Sequence, residues 1–105
     1  MENVFVYGTL ADKDIQLQLF GRIIPHGLDA WLTGWAKKTD MDYPYLMPEK
    51  GAMTQGKIIQ LSAAELKSAD AWEEVPLSYR RTRLKVATAG NSSLMCWVYV
   101  APISS

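Results

Sequence analysis

Cysteine occurs once in the 105 residues, at Cys96, and histidine once, at His26. No intrachain disulfide can form, and one thiol with one imidazole cannot complete a structural zinc site, so no metal site is expected. Both absences suit a reducing compartment, and a cytoplasmic location is the expectation. An excess of either charge is also missing: eleven basic and eleven acidic side chains give a formal net charge of zero. Chains that hold nucleic acid through its phosphates carry a basic excess, so nucleic acid is not an expected partner. A polybasic patch for a lipid surface is equally lacking. Nor is there a long hydrophobic run. The uncharged stretch from Val86 to Ser105 is broken by Gly90-Asn91-Ser92-Ser93, and its apolar part, Leu94 to Ala101, is too short to cross a bilayer. No membrane association is therefore expected. The opening MENVFVYGTL carries Glu2 and no basic lead, which does not fit a secretory signal. Phosphate-binding loops, dinucleotide fingerprints and nucleophile elbows are absent too.

What is present is globular. Hydrophobic residues make up 49% and charged residues 21%, and the length suits a single domain over residues 1–105. Asn3 to Tyr7 is β-branched and aromatic and predicts a strand, apolar on both faces, ended by Gly8. Asp12 is placed to cap a helix reaching Phe20, with Ile15, Leu19 and Phe20 on one face and Gly21 closing it. Asp29 to Asp40 predicts a bent strand with a bulge at Gly34. Met41 to Gly51, with two prolines, reads as a loop, and Met53 to Leu61 as a strand. Ser62-Ala63-Ala64-Glu65 is a capping box that starts a helix running to about Trp72. Pro76 lies past its end. Tyr79 to Ala89 and Ser93 to Val100 predict two strands around the turn Gly90-Asn91. The order β-α-β-β-α-β-β, with strands dominant, places the fold in the α+β class.

Three segments carry candidate chemistry. In Tyr7-Gly8-Thr9-Leu10 a glycine directly after a buried strand leaves amide groups free at the strand end, where they can hold an anion; an ordinary turn is the alternative. Glu73 and Glu74 end the second helix beside Trp72. A helix C-terminus disfavours a carboxylate, and desolvation does so further, which is what a general base working near neutral pH requires; two solvated glutamates are the alternative. In Tyr79-Arg80-Arg81-Thr82-Arg83, Tyr79, Arg81 and Arg83 share a strand face. Arg80 or Arg81 is placed to pair with Glu73 or with a ligand carboxylate, against the alternative of a solvated face. His26, between Pro25 and Gly27, is structural or incidental, and Cys96 in its apolar strand is inert core.

The segments VFVYGTL, DYPYLMP, GKIIQL, ADAWEEV and YRR follow one another in the order typical of the gamma-glutamyl cyclotransferase family, and from Val4 to Val100 the chain resembles that family. The resemblance implies a small α+β domain whose mixed strands curve into a barrel-like sheet around a cavity. It implies an intramolecular reaction without a cofactor: the α-amine of a gamma-glutamyl group attacks its own side-chain carbonyl, 5-oxoproline forms, and the attached amine leaves. Carried over residue by residue, Glu73 matches the catalytic glutamate, Tyr7, Gly8, Thr9 and Leu10 match the loop that holds the glutamyl moiety, and Tyr79 matches a pocket tyrosine. Pro44 matches a structural loop proline. The expected partner is a small gamma-glutamyl substrate, with the leaving group contacting Met41 to Gly51 and Phe20 to Asp29. Trp72 is expected at the cavity wall and the other three tryptophans in the core. The family usually has glycine where this chain has Glu74, expected to face water. A non-catalytic protein that binds a small carboxylate in the same fold is the second reading. The sequence leaves monomer and homodimer open.

Overall fold

A computed structural model describes residues 1–25 and 27–102; the reading of His26 lies outside the described residues. The element order is β1 (Glu2–Val6), α1 (Lys13–Phe20), β2 (Leu28–Lys38), β3 (Tyr45–Leu61), α2 (Ala63–Trp72), β4 (Arg80–Thr88) and β5 (Ser93–Val100), with single 3-10 turns at Thr9–Ala11 and Ala89–Asn91. The strands form a closed barrel in the order β1-β3-β2-β4-β5. Neighbours run antiparallel except where β1 closes on β5 in parallel, Val4 beside Trp97 and Phe5 beside Val98. This is the α+β class that the element order predicts, with the mixed, barrel-like sheet that the family resemblance implies.

Alternation along β1 explains why that strand is apolar on both faces. Phe5 points into the barrel with Leu32, Leu46, Ile58, Val86 and Val98. Val4 and Val6 point outward, into a second core with Leu61, Leu66 and Ala69, where the helices cover the barrel wall. Phe5, Leu32, Leu46 and Val4 are at most 1% exposed, and each such side chain contributes roughly 1.5–3 kcal/mol through burial.

The helix signals are realised as hydrogen bonds. The Asp12 carboxylate accepts from the amides of Asp14 (2.8 Å) and Ile15 (3.3 Å). In the capping box the Glu65 amide donates to Ser62 Oγ (3.1 Å) and the Ser62 amide donates to Glu65 Oε1 (2.9 Å). Glu65 also takes both forks of Arg22, at 2.8 and 2.9 Å, which joins the end of α1 to the start of α2. That guanidinium holds the Glu65 carboxyl down at about 2.

One expectation is overturned. Met41 to Gly51 is not all loop, because β3 begins at Tyr45 and pairs with the outer half of β2, Lys38 opposite Tyr45 and Trp35 opposite Pro48. Leu46, fully buried in the barrel, anchors this extension. Pro48 is tolerated because it sits beside the register shift between Thr33 and Trp35. There Gly34 supplies the bulge with φ 88, and Thr54 Oγ1 donates to the Trp35 carbonyl at 2.9 Å. The tryptophans are also corrected. Trp31, Trp35 and Trp97 are only partly buried; Trp35 and Trp97 pack against the edges of the two cores.

Candidate active site

The last turn of α2 delivers Glu73. It is the residue that ends the helix, its amide donating to the Ala69 carbonyl at 2.9 Å, so its carboxylate lies at the negative end of the helix dipole. The side chain is half-buried among Tyr7, Gly8, Thr9, Leu10, Pro44, Tyr79 and Tyr99. Burial pushes its carboxyl up to about 7. Among the described residues its carboxylate takes no hydrogen bond or ion pair.

Tyr7 follows the last residue of β1 and donates its hydroxyl to the Tyr99 carbonyl at 2.5 Å. Tyr79 donates to the Pro44 carbonyl at 2.7 Å. Burial raises both phenols, Tyr7 with help from Tyr79 and Glu73, and Tyr79, to about 12, with help from Glu73 and Tyr43. A phenol has one proton, and in both cases the backbone takes it. Toward the pocket each oxygen is left as an acceptor. Together with Glu73 these two oxygens suit a ligand ammonium.

Gly8 is required by space. A Cβ there would lie 2.9 Å from Pro44 Cγ, so the strand end and the β2–β3 connection are packed directly against each other. The chain then makes one 3-10 turn, in which the Ala11 amide donates to the Gly8 carbonyl and Asp12 to Thr9, each at 3.0 Å. The amides of Thr9 and Leu10 precede the first of these bonds and have no acceptor within the turn. The Leu10 side chain is buried in the helix-side core, and its carbonyl accepts from Gln16 Nε2 at 2.9 Å. Gln16 in turn accepts from the Ile24 amide at 3.0 Å. This buried glutamine, which fixes the loop, has no signal in the sequence.

The space has two parts. Next to Glu73 and Tyr99 is a cavity of about 20 Å³, room for about one water. It adjoins a groove of about 230 Å³ lined by Thr9, Tyr43, Trp72, Glu73, Glu74, Ser78 and Tyr79. Beyond Tyr43 and Tyr79 lies a further apolar hollow of about 420 Å³, with Met41, Tyr45 and Pro102. Another hollow of similar size, about 370 Å³, lies at Asn3, Arg22 and Gln60, away from Glu73.

The structure thus gathers Glu73, Tyr7, Gly8, Thr9, Leu10 and Tyr79 around one pocket, with Trp72 at the wall of the adjoining groove. Two expectations fail. Neither Arg80 nor Arg81 reaches Glu73; Arg81 is committed to Asp70, Nε to Oδ1 at 2.8 Å. Of the segment Phe20 to Asp29, Arg22, Ile24, Pro25, Gly27 and Leu28 line the hollow around Arg22, and none of its described residues lines the Glu73 groove. Glu74 is exposed as expected, yet it carries the backbone of a glycine, φ 53. Its carboxylate accepts from Ser78 Oγ at 3.1 Å. Among the described residues no group of three or more His, Cys, Asp or Glu is arranged to hold a metal ion, and no helix is long and apolar enough to cross a membrane.

A family model described as gamma-glutamyl cyclotransferase, AIG2-like, matches residues 4–104. Among solved structures, the chain is similar to an Arabidopsis thaliana protein known in solution, with 28% identity and a TM-score of 0.81 over 95% of this chain and 68% of that one. A gamma-glutamyl cyclotransferase has the same TM-score at 18% identity, over 95% of this chain and 66% of that one. The crystal structure of an AIG2-like protein from Mus musculus gives 0.78 at 24% identity, over 100% of this chain and 80% of that one. The last two likenesses establish the fold alone. The chain spans about two thirds of the length of the first two proteins. No curated protein sequence matches it.

Proposed function

The chain belongs to the gamma-glutamyl cyclotransferase, AIG2-like family, and from that premise we propose that it converts a gamma-glutamyl amine or amino acid to 5-oxoproline and releases the free amine. The observation that carries this reading is Glu73: a half-buried carboxyl, raised to about 7, set among acceptor oxygens at the end of a groove.

In this reading the substrate ammonium lies among Glu73 and the hydroxyl oxygens of Tyr7 and Tyr79. Glu73 takes one proton from it, and the freed amine attacks the γ-carbonyl carbon of the same molecule. A carbon–nitrogen bond forms and closes a five-membered ring. The tetrahedral oxyanion finds donors in the Thr9 and Leu10 amides. Collapse of the intermediate breaks the bond to the leaving nitrogen: Glu73 returns its proton to that nitrogen, and the second proton, lost from the ring nitrogen as the lactam forms, passes to the same amine, which leaves as an ammonium. Nucleophile and carbonyl belong to one bound molecule, so most of the task is to fold that molecule up. No step calls for a cofactor. The leaving group extends along the groove past Trp72 and Tyr43.

The test is release of 5-oxoproline from a mixed panel of gamma-glutamyl dipeptides, gamma-glutamyl-ε-lysine and gamma-glutamyl amines. Glu73→Gln is expected to lower turnover by about 10²–10⁴-fold, the usual loss for a general acid–base; unchanged turnover removes Glu73 from the mechanism. The strained Glu74 backbone favours a second reading, a protein that binds a small carboxylate and does not turn it over. Tight 5-oxoproline binding with no release across the panel selects that reading.

A further inference from the structure

Asp70 precedes Glu73 by one helical turn, and residues three apart on a helix lie on one face. Neither the reading of the sequence nor the proposed reaction gives Asp70 a task, yet two strands are tied to its carboxylate. Its Oδ1 accepts from Arg81 Nε of β4 at 2.8 Å and from the Tyr99 hydroxyl of β5 at 2.7 Å. Asp70 and Arg81 are each about one quarter exposed, and the Arg81 guanidinium sits 4.1 Å from the centre of the Trp97 ring, which fixes its plane. Tyr99 is nearly buried, lines the cavity beside Glu73, and accepts at its backbone carbonyl from Tyr7. Hydrogen bonds therefore run from Arg81 through Asp70 and Tyr99 to Tyr7, joining α2 to β4, β5 and the end of β1.

We propose that Asp70 is a positioning residue, which locks the last turn of α2 onto the barrel wall so that Glu73 stays in the half-buried pocket between Tyr7 and Tyr79. This rests on the cyclotransferase reading for its consequence in turnover, but not for its geometry. The position suits such a role because, among the described residues, the Glu73 carboxylate takes no hydrogen bond. Its place is set by the backbone of the turn that carries it, and that turn is held at Asp70. A charged hydrogen-bonded pair is also stronger than a neutral one. The titratable groups that line the pocket and groove with Glu73 are Tyr7 from the end of β1, Tyr43 ahead of β3, Tyr79 ahead of β4, Tyr99 from β5, and the exposed Glu74 on its own segment; Arg81 is turned to Asp70.

The experiment compares wild type with Asp70→Asn and with Tyr99→Phe, in turnover and in the titration of the Glu73 side-chain carbonyl by carbon NMR. Asp70→Asn is expected to lower kcat by about 10- to 100-fold, the loss that a small misplacement of a reacting group produces, while KM changes less than about threefold. As water reaches the loosened turn, the Glu73 midpoint falls by about one pH unit toward its ordinary value. Adding Arg81→Lys to Asp70→Asn costs little more, because the two act as one unit. If Asp70→Asn does not fold, Tyr99→Phe carries both readouts. An unchanged Glu73 midpoint with kcat within about twofold of wild type, inside the spread of near-neutral substitutions, overturns the proposal. A wild type that releases no 5-oxoproline defeats the cyclotransferase reading instead, and the midpoint alone then decides the role of Asp70.

Discussion

Holding a carboxyl in a half-buried pocket has a thermodynamic consequence that needs no substrate to measure. Glu73 titrates near 4.5 when unperturbed and near 7 in the fold, because burial disfavours its charged form. Below pH 4.5 both the folded and the unfolded chain carry the proton, and the group does not affect stability. Between about 4.5 and about 7 the unfolded chain releases the proton while the folded one keeps it, so stability falls as pH rises. Above about 7 the deficit is constant. The interval is about 2.5 pH units, and at about 1.36 kcal/mol each the full deficit is about 3 kcal/mol. The carboxyl is partly open to the groove, and solvent screening brings this down to about 2 kcal/mol. Glu73→Gln keeps the shape and removes the titration. Its stability minus that of wild type is expected to rise by about 2 kcal/mol from about pH 4 to about pH 8, equivalent to about 8 °C in Tm for a chain of this size. Urea and thermal unfolding of both proteins across that range give the difference directly, and every other titrating group cancels. Parallel pH curves would refute the placement of Glu73 in a desolvated pocket. The reciprocal of this gain is the activity expected to be lost, a trade between stability and function.

Two further outcomes are specific. Ser62→Ala removes one half of the capping box at the start of α2 and is expected to cost about 1 kcal/mol, read as a lower urea midpoint at unchanged slope. Glu74→Gly relieves a non-glycine residue at φ 53 and is expected to raise stability by roughly 0.5–1 kcal/mol; a lower Tm would show that the bond to Ser78 outweighs the strain.

Local rules made much of the fold legible. The caps at Asp12 and Ser62, the bulge at Gly34 and the turn at Gly90-Asn91 each need only neighbouring residues, and all are in place. The start of β3 was illegible because Pro44, Pro48 and Gly51 signal a loop, whereas a buried Leu46 and pairing with β2 outweigh them. Glu73 and the Tyr7–Leu10 loop were singled out from their chemistry and their resemblance. The partner of Arg81 was not, because strand alternation gives the face of an arginine and never the helix that will cover it. Tyr99 carried no signal: nothing near it in the chain says that its hydroxyl reaches Asp70 or that its carbonyl takes the Tyr7 proton.

The parallel seam between β1 and β5 also bears on the order in which the molecule assembles. The bond from Tyr7 to Tyr99 joins residues 92 positions apart, so a loop of nearly the whole chain must close before the pocket wall exists. Such long-range closure is slow compared with the β2–β3 and β4–β5 hairpins, which need only local contacts. During synthesis, the segment through α2 would have its helices and its longest hairpin while Val4 and Phe5 still lacked their neighbours on β5. Until β5 arrives, β1 presents an open apolar edge, the kind of surface on which nascent chains aggregate. The pocket and the protection of that edge therefore appear in the same step.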